Sequence, residues 1–227
     1  MKIAIYGDSF GANPIGVKDY NLYPYIKESW WELLSAKYNI TNFCEWSASL
    51  LFSAEQFTRT HEKFDKVIFL VTHPRRITIK DNNNNRHFVN YEYSTFWKED
   101  AEKQGWNDVL NAALYYYKYI ENSNYSNFQH IAYLNYIKNL RKDVLYIPSF
   151  KDSFDNNFCL CDVFDKEQKY WKIDYDVGKL DVRKGHFTTP NHKIMYNILD
   201  NYIEYNKFDI DLSMFVDPDL PKRKYIK

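Results

Sequence analysis

Two ends of this 227-residue chain carry residues suited to nucleophilic chemistry. Ser9 follows the apolar run Ile3-Ala4-Ile5-Tyr6 and the turn Gly7-Asp8. A serine hydroxyl is a poor nucleophile until a base takes its proton, and histidine is the usual base because its pKa lies near working pH. His186 is the best candidate, placed just before the last helical segment in Leu180-Asp181-Val182-Arg183-Lys184-Gly185-His186-Phe187-Thr188-Thr189-Pro190. A carboxylate on the far ring nitrogen would fix the tautomer and stabilise the imidazolium, and Asp181 is the natural choice. Donors aimed at a forming oxyanion complete such a site.

The elements that must bring these residues together follow from periodicity. The run before Gly7 reads as a buried strand, closed by a residue with unusual backbone freedom. Residues 24–38 read as a helix, 40–46 as a strand and 50–64 as a helix, with Leu50, Leu51, Ala54, Phe57, His61 and Phe64 in register. Lys66 to Thr72 is nearly continuous in apolar residues, as in a strand covered on both faces. Asp81-Asn82-Asn83-Asn84-Asn85 is a polar turn inside a lid or small hairpin over 80–97. Helices at 98–121 and 125–141, a strand at 144–148 and a last amphipathic helix at 190–205 follow. Thr189 is a natural N-cap there, and Pro190 fits the first helical position. Residues 151–180 read as an insertion. This alternation predicts one α/β domain over 1–227, a three-layer sandwich with a parallel sheet of four or five strands and helices on both faces. A serine at the end of the first parallel strand then sits where such sheets place ligands.

At this point the chain resembles the SGNH (GDSL-type) hydrolases, flavodoxin-like esterases, lipases and carbohydrate-ester hydrolases. Gly7-Asp8-Ser9 after a first strand is similar to their nucleophile block, and Asp181 to His186 before a helix is similar to their last block. The usual last block has aspartate three residues before histidine; here that position is Arg183, a spacing that resembles a divergent, phage-like subgroup. Asp174 and Asp176 are therefore the alternatives to Asp181 as the acid. The second block implies an oxyanion amide at Ser47, in Trp46-Ser47-Ala48-Ser49, although the family's glycine is missing. The third block, normally Gly-x-Asn-Asp, is Thr72-His73-Pro74-Arg75-Arg76, so Thr72, His73 or an arginine is expected to replace the asparagine donor. Arg76 matches an arginine of the subgroup, and a guanidinium there is expected to bind an anionic substrate. The resemblance thus implies a serine esterase acting on a small acyl ester, with acylated carbohydrate the expected substrate. The rivals are an acyltransferase on the same triad and a degenerate module kept for binding or structure.

Composition narrows the classes. Lys plus Arg equals Asp plus Glu, 30 against 30, which gives no reason to expect nucleic acid as a partner. The chain has 21 Tyr, 16 Phe and 6 Trp, read chiefly as core and half-buried surface. No cofactor is expected: there is no GxGxxG or P-loop, and no His/Cys/Asp cluster has metal spacing. Cys44, Cys159 and Cys161 have no framework spacing, and Cys159-Leu160-Cys161 reads as a pair of reduced thiols. His192 reads as helix packing, while His61, His87 and His130 show no partner pattern. With no apolar run of transmembrane length and the first strand starting at residue 2, no membrane span and no signal peptide are expected, and the protein is expected in a cytoplasm or a virion.

Overall fold

The computed structural model describes residues 1–12, 29–89, 102–103, 105–153, 158–161, 163, 187, 189–210 and 212–215. Strands β1 (Lys2–Tyr6), β2 (Asn39–Asn42), β3 (Lys66–Val71) and β6 (Val144–Pro148) form one all-parallel sheet in the order β2-β1-β3-β6. Ile3 pairs with Ile40 on one side, Ile5 with Ile68 on the other, and Leu70 with Ile147. A short antiparallel hairpin, β4 (Ile77–Lys80) and β5 (Arg86–Val89), stands apart from this sheet.

The α-helices among the described residues are α1 (Trp30–Ser35), α2 (Leu50–Thr60), α3 (Asn107–Tyr115), α4 (Ser123–Leu140) and α5 (Thr189–Tyr205). Side chains alternate along a strand, so each strand feeds two cores. Ile3, Ile5, Ile68, Leu70 and Ile147 pack with Trp30 and Leu34 of α1 and Met195, Leu199 and Ile203 of α5. Ala4, Tyr6, Val67, Phe69 and Val71 pack on the opposite face with Leu50, Ala54 and Phe57 of α2 and Leu134 and Ile137 of α4. The expected three-layer α/β arrangement is therefore present, with four strands in the sheet among the described residues. Its topology is consistent in hand: the crossover from β1 to β2 runs one way along the sheet beneath α1, and the two that run the other way lie beneath α2 and α4. The order reverses between β1 and β3, which opens a crevice at the carboxyl ends of those two strands.

Element ends differ from expectation for local reasons. Of the helix expected at 24–38, residues 24–28 lie outside the described residues; α1 starts after Ser29, whose N–H and hydroxyl both reach the Glu32 carboxylate at 2.7 Å. The ladder of β2 is formally short, yet Phe43 and Glu45 still donate to the carbonyls of Ile5 and Gly7. Helix α2 stops at Thr60 and tightens into a single turn over His61–Lys63; Leu51, read into its apolar face, is 40% exposed. The segment expected as helix at 98–121 becomes α3 followed by a wider π turn at Tyr116–Ile120, with 98–101 and 104 outside the described residues. The hairpin starts earlier than the expected 80–97. Its turn is built on Asp81, whose carboxylate accepts from the N–H groups of Asn83 and Asn85 and from Asn85 Nδ2, and which pairs with His87 Nε2 at 3.1 Å. His87 thus has a partner that its sequence position did not reveal. His61 stacks on Phe57, and His130 Nε2 meets the Ser153 carbonyl at 2.7 Å.

Candidate active site

The approach to Ser9 is set by Gly7. Its φ is 143°, and a Cβ there would sit 2.5 Å from Leu70 Cβ and 2.7 Å from the Leu70 carbonyl oxygen. Only glycine lets the end of β1 lie this close to β3. Gly11 and Ala12 then donate to the Asp8 carbonyl, each at 3.1 Å, which folds residues 8–12 into a tight turn with Ser9 half-buried on it.

Beneath that turn Asp8 is fully buried. Its Oδ1 accepts from the Phe10 N–H and the Ser149 hydroxyl, both at 3.1 Å, and its Oδ2 lies 3.2 Å from Arg76 Nη1. Arg76 Nη1 also donates to Thr72 Oγ1 at 3.0 Å. The Ser149 N–H donates to the Val71 carbonyl. One carboxylate therefore ties together the carboxyl ends of β1, β3 and β6. Burial pushes the Asp8 carboxyl above its usual range, and the Arg76 guanidinium pulls against that.

Phe10, the residue after Ser9, is the packing centre of the site. Its ring meets Phe150 at 5.8 Å and Phe187 at 6.0 Å, and its carbonyl accepts from Trp30 Nε1. Phe187 is 1% exposed and also touches His192, whose Nδ1 accepts the Trp30 N–H. His192 has the packing role expected of it. His186, Asp181, Asp174 and Asp176 lie outside the described residues. Among the expected catalytic residues, Ser9 is the one the structure locates.

The expected oxyanion donors differ in environment. Ser47 has φ 55°, the left-handed conformation that favours glycine, in a turn after β2. A serine thus holds a conformation that glycine adopts more readily. Thr72 is 1% exposed, and its hydroxyl accepts from Arg76 Nη1. His73 is more open. Its Nδ1 accepts the Arg75 N–H at 3.1 Å, its ring packs edge-on against Phe150, and its Nε2 lies 3.5 Å from the exposed Asp152 carboxylate. In the neutral ring the proton is therefore on Nε2. Arg76, expected at the substrate, is 7% exposed, turned to Asp8 and laid over Phe150 at 4.5 Å.

Sequence reading missed the supports of this site. Arg75 is held by a bidentate pair with Glu121, both contacts at 2.9 Å, and its carbonyl accepts from Tyr117. Ser149, Phe150 and Asp152 all follow β6, and their only signal was position after a parallel strand. Cys44 lies under Gly11, with its thiol pushed well up by burial. Among the described residues no group of three His, Cys, Asp or Glu side chains is placed to hold a metal, and no helix is long and apolar enough to cross a membrane.

Compared with known proteins, the chain matches no family model, no curated protein and no solved structure.

Proposed function

We propose that the protein is a serine ester hydrolase of the SGNH type, acting through an acyl-enzyme on Ser9. The observation that carries this reading is the contact between Phe10 and Phe187. Ser9 precedes one of these rings in the chain and His186 precedes the other, and one peptide spans only about 3.8 Å between Cα atoms. A nucleophile and a base separated by 177 positions thus each adjoin one partner of a buried ring pair. The location at the crevice between β1 and β3 supports the same reading.

In this mechanism Ser9 Oγ attacks the ester carbonyl carbon while His186 takes its proton, with Asp181 on the far ring nitrogen. The oxyanion accepts from the amides of Ser9 and Ser47 and from His73 Nε2–H, which takes the part of the family's asparagine. His186 passes the proton to the leaving alcohol, then activates water to free the acyl group. Arg76 and Asp8 hold the turn from below. The substrate class is a small acyl ester, with acylated carbohydrate first. A non-catalytic module is the competing reading, favoured by Thr72, whose hydroxyl is buried against Arg76.

A fluorophosphonate probe decides between them. The wild type is expected to gain one covalent phosphonyl group, and Ser9→Ala to gain none while keeping its circular dichroism spectrum. An unlabelled wild type, or a labelled Ser9→Ala, removes the hydrolase reading.

A further inference from the structure

Cys159 and Cys161 are both thiols, and their Sγ atoms lie 2.9 Å apart. That separation is less than 1 Å beyond the length of a disulfide, about 2.05 Å. Their surroundings differ in a useful way. Cys159 is 2% exposed, whereas Cys161 is partly open to solvent. An exposed attacking thiol beside a buried second thiol is the arrangement in which a mixed disulfide, once formed, is resolved internally. The segment is firmly placed: Leu160 between them is fully buried in the core, and the Cys161 N–H donates to the Ser149 carbonyl at 3.0 Å.

We propose that Cys159 and Cys161 form a thiol–disulfide couple that small disulfides such as oxidised glutathione close, and that its state is felt at Ser9. The Cys161 thiolate attacks one sulfur of oxidised glutathione and expels a glutathione thiolate. The deprotonated Cys159 then attacks Cys161 Sγ in the mixed disulfide and expels the second glutathione thiolate. Two protein thiols are oxidised, one glutathione disulfide is reduced to two thiols, and the two cysteine protons end on those thiols. The path to Ser9 is two hydrogen bonds long: Cys161 N–H to the Ser149 carbonyl, and Ser149 hydroxyl to Asp8 Oδ1 at 3.1 Å, under the turn that carries Ser9. Drawing Cys161 Sγ to bonding distance of Cys159 pulls on the residue whose N–H makes the first of these bonds. Cys44 takes no part, because it is buried under Gly11. Closure is independent of the hydrolase reading; its effect on Ser9 rests on that reading.

The test uses the full chain, with its three cysteines, incubated in oxidised glutathione. Thiols are counted after denaturation, and intact mass and a peptide map are recorded. The expected result is a loss of two thiols, a mass lower by two hydrogens, no glutathione adduct, and a Cys159–Cys161 link. Cys159→Ala is expected to stop at a stable adduct on Cys161, and Cys161→Ala to remain unmodified. Three thiols retained in the wild type, a lasting adduct there, or a link to Cys44 overturns the couple. The wild-type count needs no variant to fold. Fluorophosphonate labelling of Ser9 is then compared in the two states. A change of two-fold or more, reversed by dithiothreitol, is expected; closure with unchanged labelling overturns the coupling. A protein that labels in neither state tells against the hydrolase reading, and the thiol count still decides the couple.

Discussion

The Arg75 N–H donates to His73 Nδ1 at 3.1 Å, and this bond decides which ring nitrogen carries the proton. With Nδ1 engaged as acceptor, neutral His73 presents Nε2–H as its outward donor. Arg75 cannot swing away easily, because Glu121 grips its guanidinium through both oxygens and Tyr117 holds its carbonyl. His73→Ala is expected to lower kcat on a short-chain aryl ester by about 10²–10³-fold with little change in KM, as for loss of one oxyanion donor. His73→Asn, which carries an amide donor, is expected to recover much of that loss. Equal activity of His73→Ala and wild type would remove His73 from the site.

How far the sequence reaches is seen by comparing β3 with this network. Lys66 to Val71 was legible because a strand buried on both faces must be apolar throughout, whatever its neighbours are. The first strand and its Gly-Asp-Ser turn were legible for the same reason. Ile77-Thr78-Ile79-Lys80 also alternates, but four residues beside a polar turn are a weak signal, so the expected start of the hairpin at residue 80 falls too late in the chain. The support of Ser9 was not legible at all. Asp8 meets Arg76 across 68 positions and Ser149 across 141, and Arg75 meets Glu121 across 46. Such pairs exist only because the sheet order brings the ends of β1, β3 and β6 together, an order that local periodicity does not contain.

The Asp8–Arg76 pair makes a stability prediction. Asp8→Asn keeps the shape of the side chain but removes the carboxylate that faces the buried Arg76 guanidinium. Breaking a buried pair from one side costs about 3–5 kcal/mol, so the urea midpoint should fall sharply. The double variant Asp8→Asn/Arg76→Met removes the buried charge as well and is expected to regain part of that loss. Additive losses in the cycle would show that the two side chains are not coupled.

Backbone conformation gives opposite predictions at two neighbouring turns. Gly7→Ala meets both a left-handed φ and a clash with Leu70, and is expected to destabilise by about 1–3 kcal/mol. Ser47→Gly removes a side chain from a residue at φ 55° and is expected to stabilise by up to about 1 kcal/mol while keeping the backbone amide in place. Denaturant titration of both variants reads these signs directly.

The hairpin turn carries a pH dependence. Hydrogen bonding to His87, then to Asn85 and Asn83, pulls the Asp81 carboxyl down from its ordinary 3.8 to about 2. A carboxyl depressed in the folded state binds its proton more tightly when unfolded. Its contribution is therefore fully present above pH 3.8 and is lost as pH falls toward about 2. Asp81→Asn should flatten that part of the acid limb of the melting-temperature profile. An unchanged acid limb would mean that the carboxylate does not secure the turn.

The last prediction tests the contact on which the triad reading rests. Phe187 is 1% exposed and lies between Phe10, His192 and Phe215. Truncation to alanine would cost about 3–5 kcal/mol through the cavity it leaves, which would confuse loss of fold with loss of site. Phe187→Leu keeps most of the volume and removes the flat ring that meets Phe10. Thermal unfolding of this variant should remain cooperative. If the ring pair holds His186 against Ser9, the labelling rate with a fluorophosphonate should fall by at least ten-fold, because a misplacement of about 1 Å in a reacting group costs on the order of 10²-fold. Lys37→Gln is the control: it alters the contact between the end of α1 and α5 through its pair with Asp200 without touching the Phe10–Phe187 rings, and its labelling rate should stay near wild type. Equal labelling of Phe187→Leu and wild type would show that His186 does not depend on this packing, and would leave Ser9 without its proposed base.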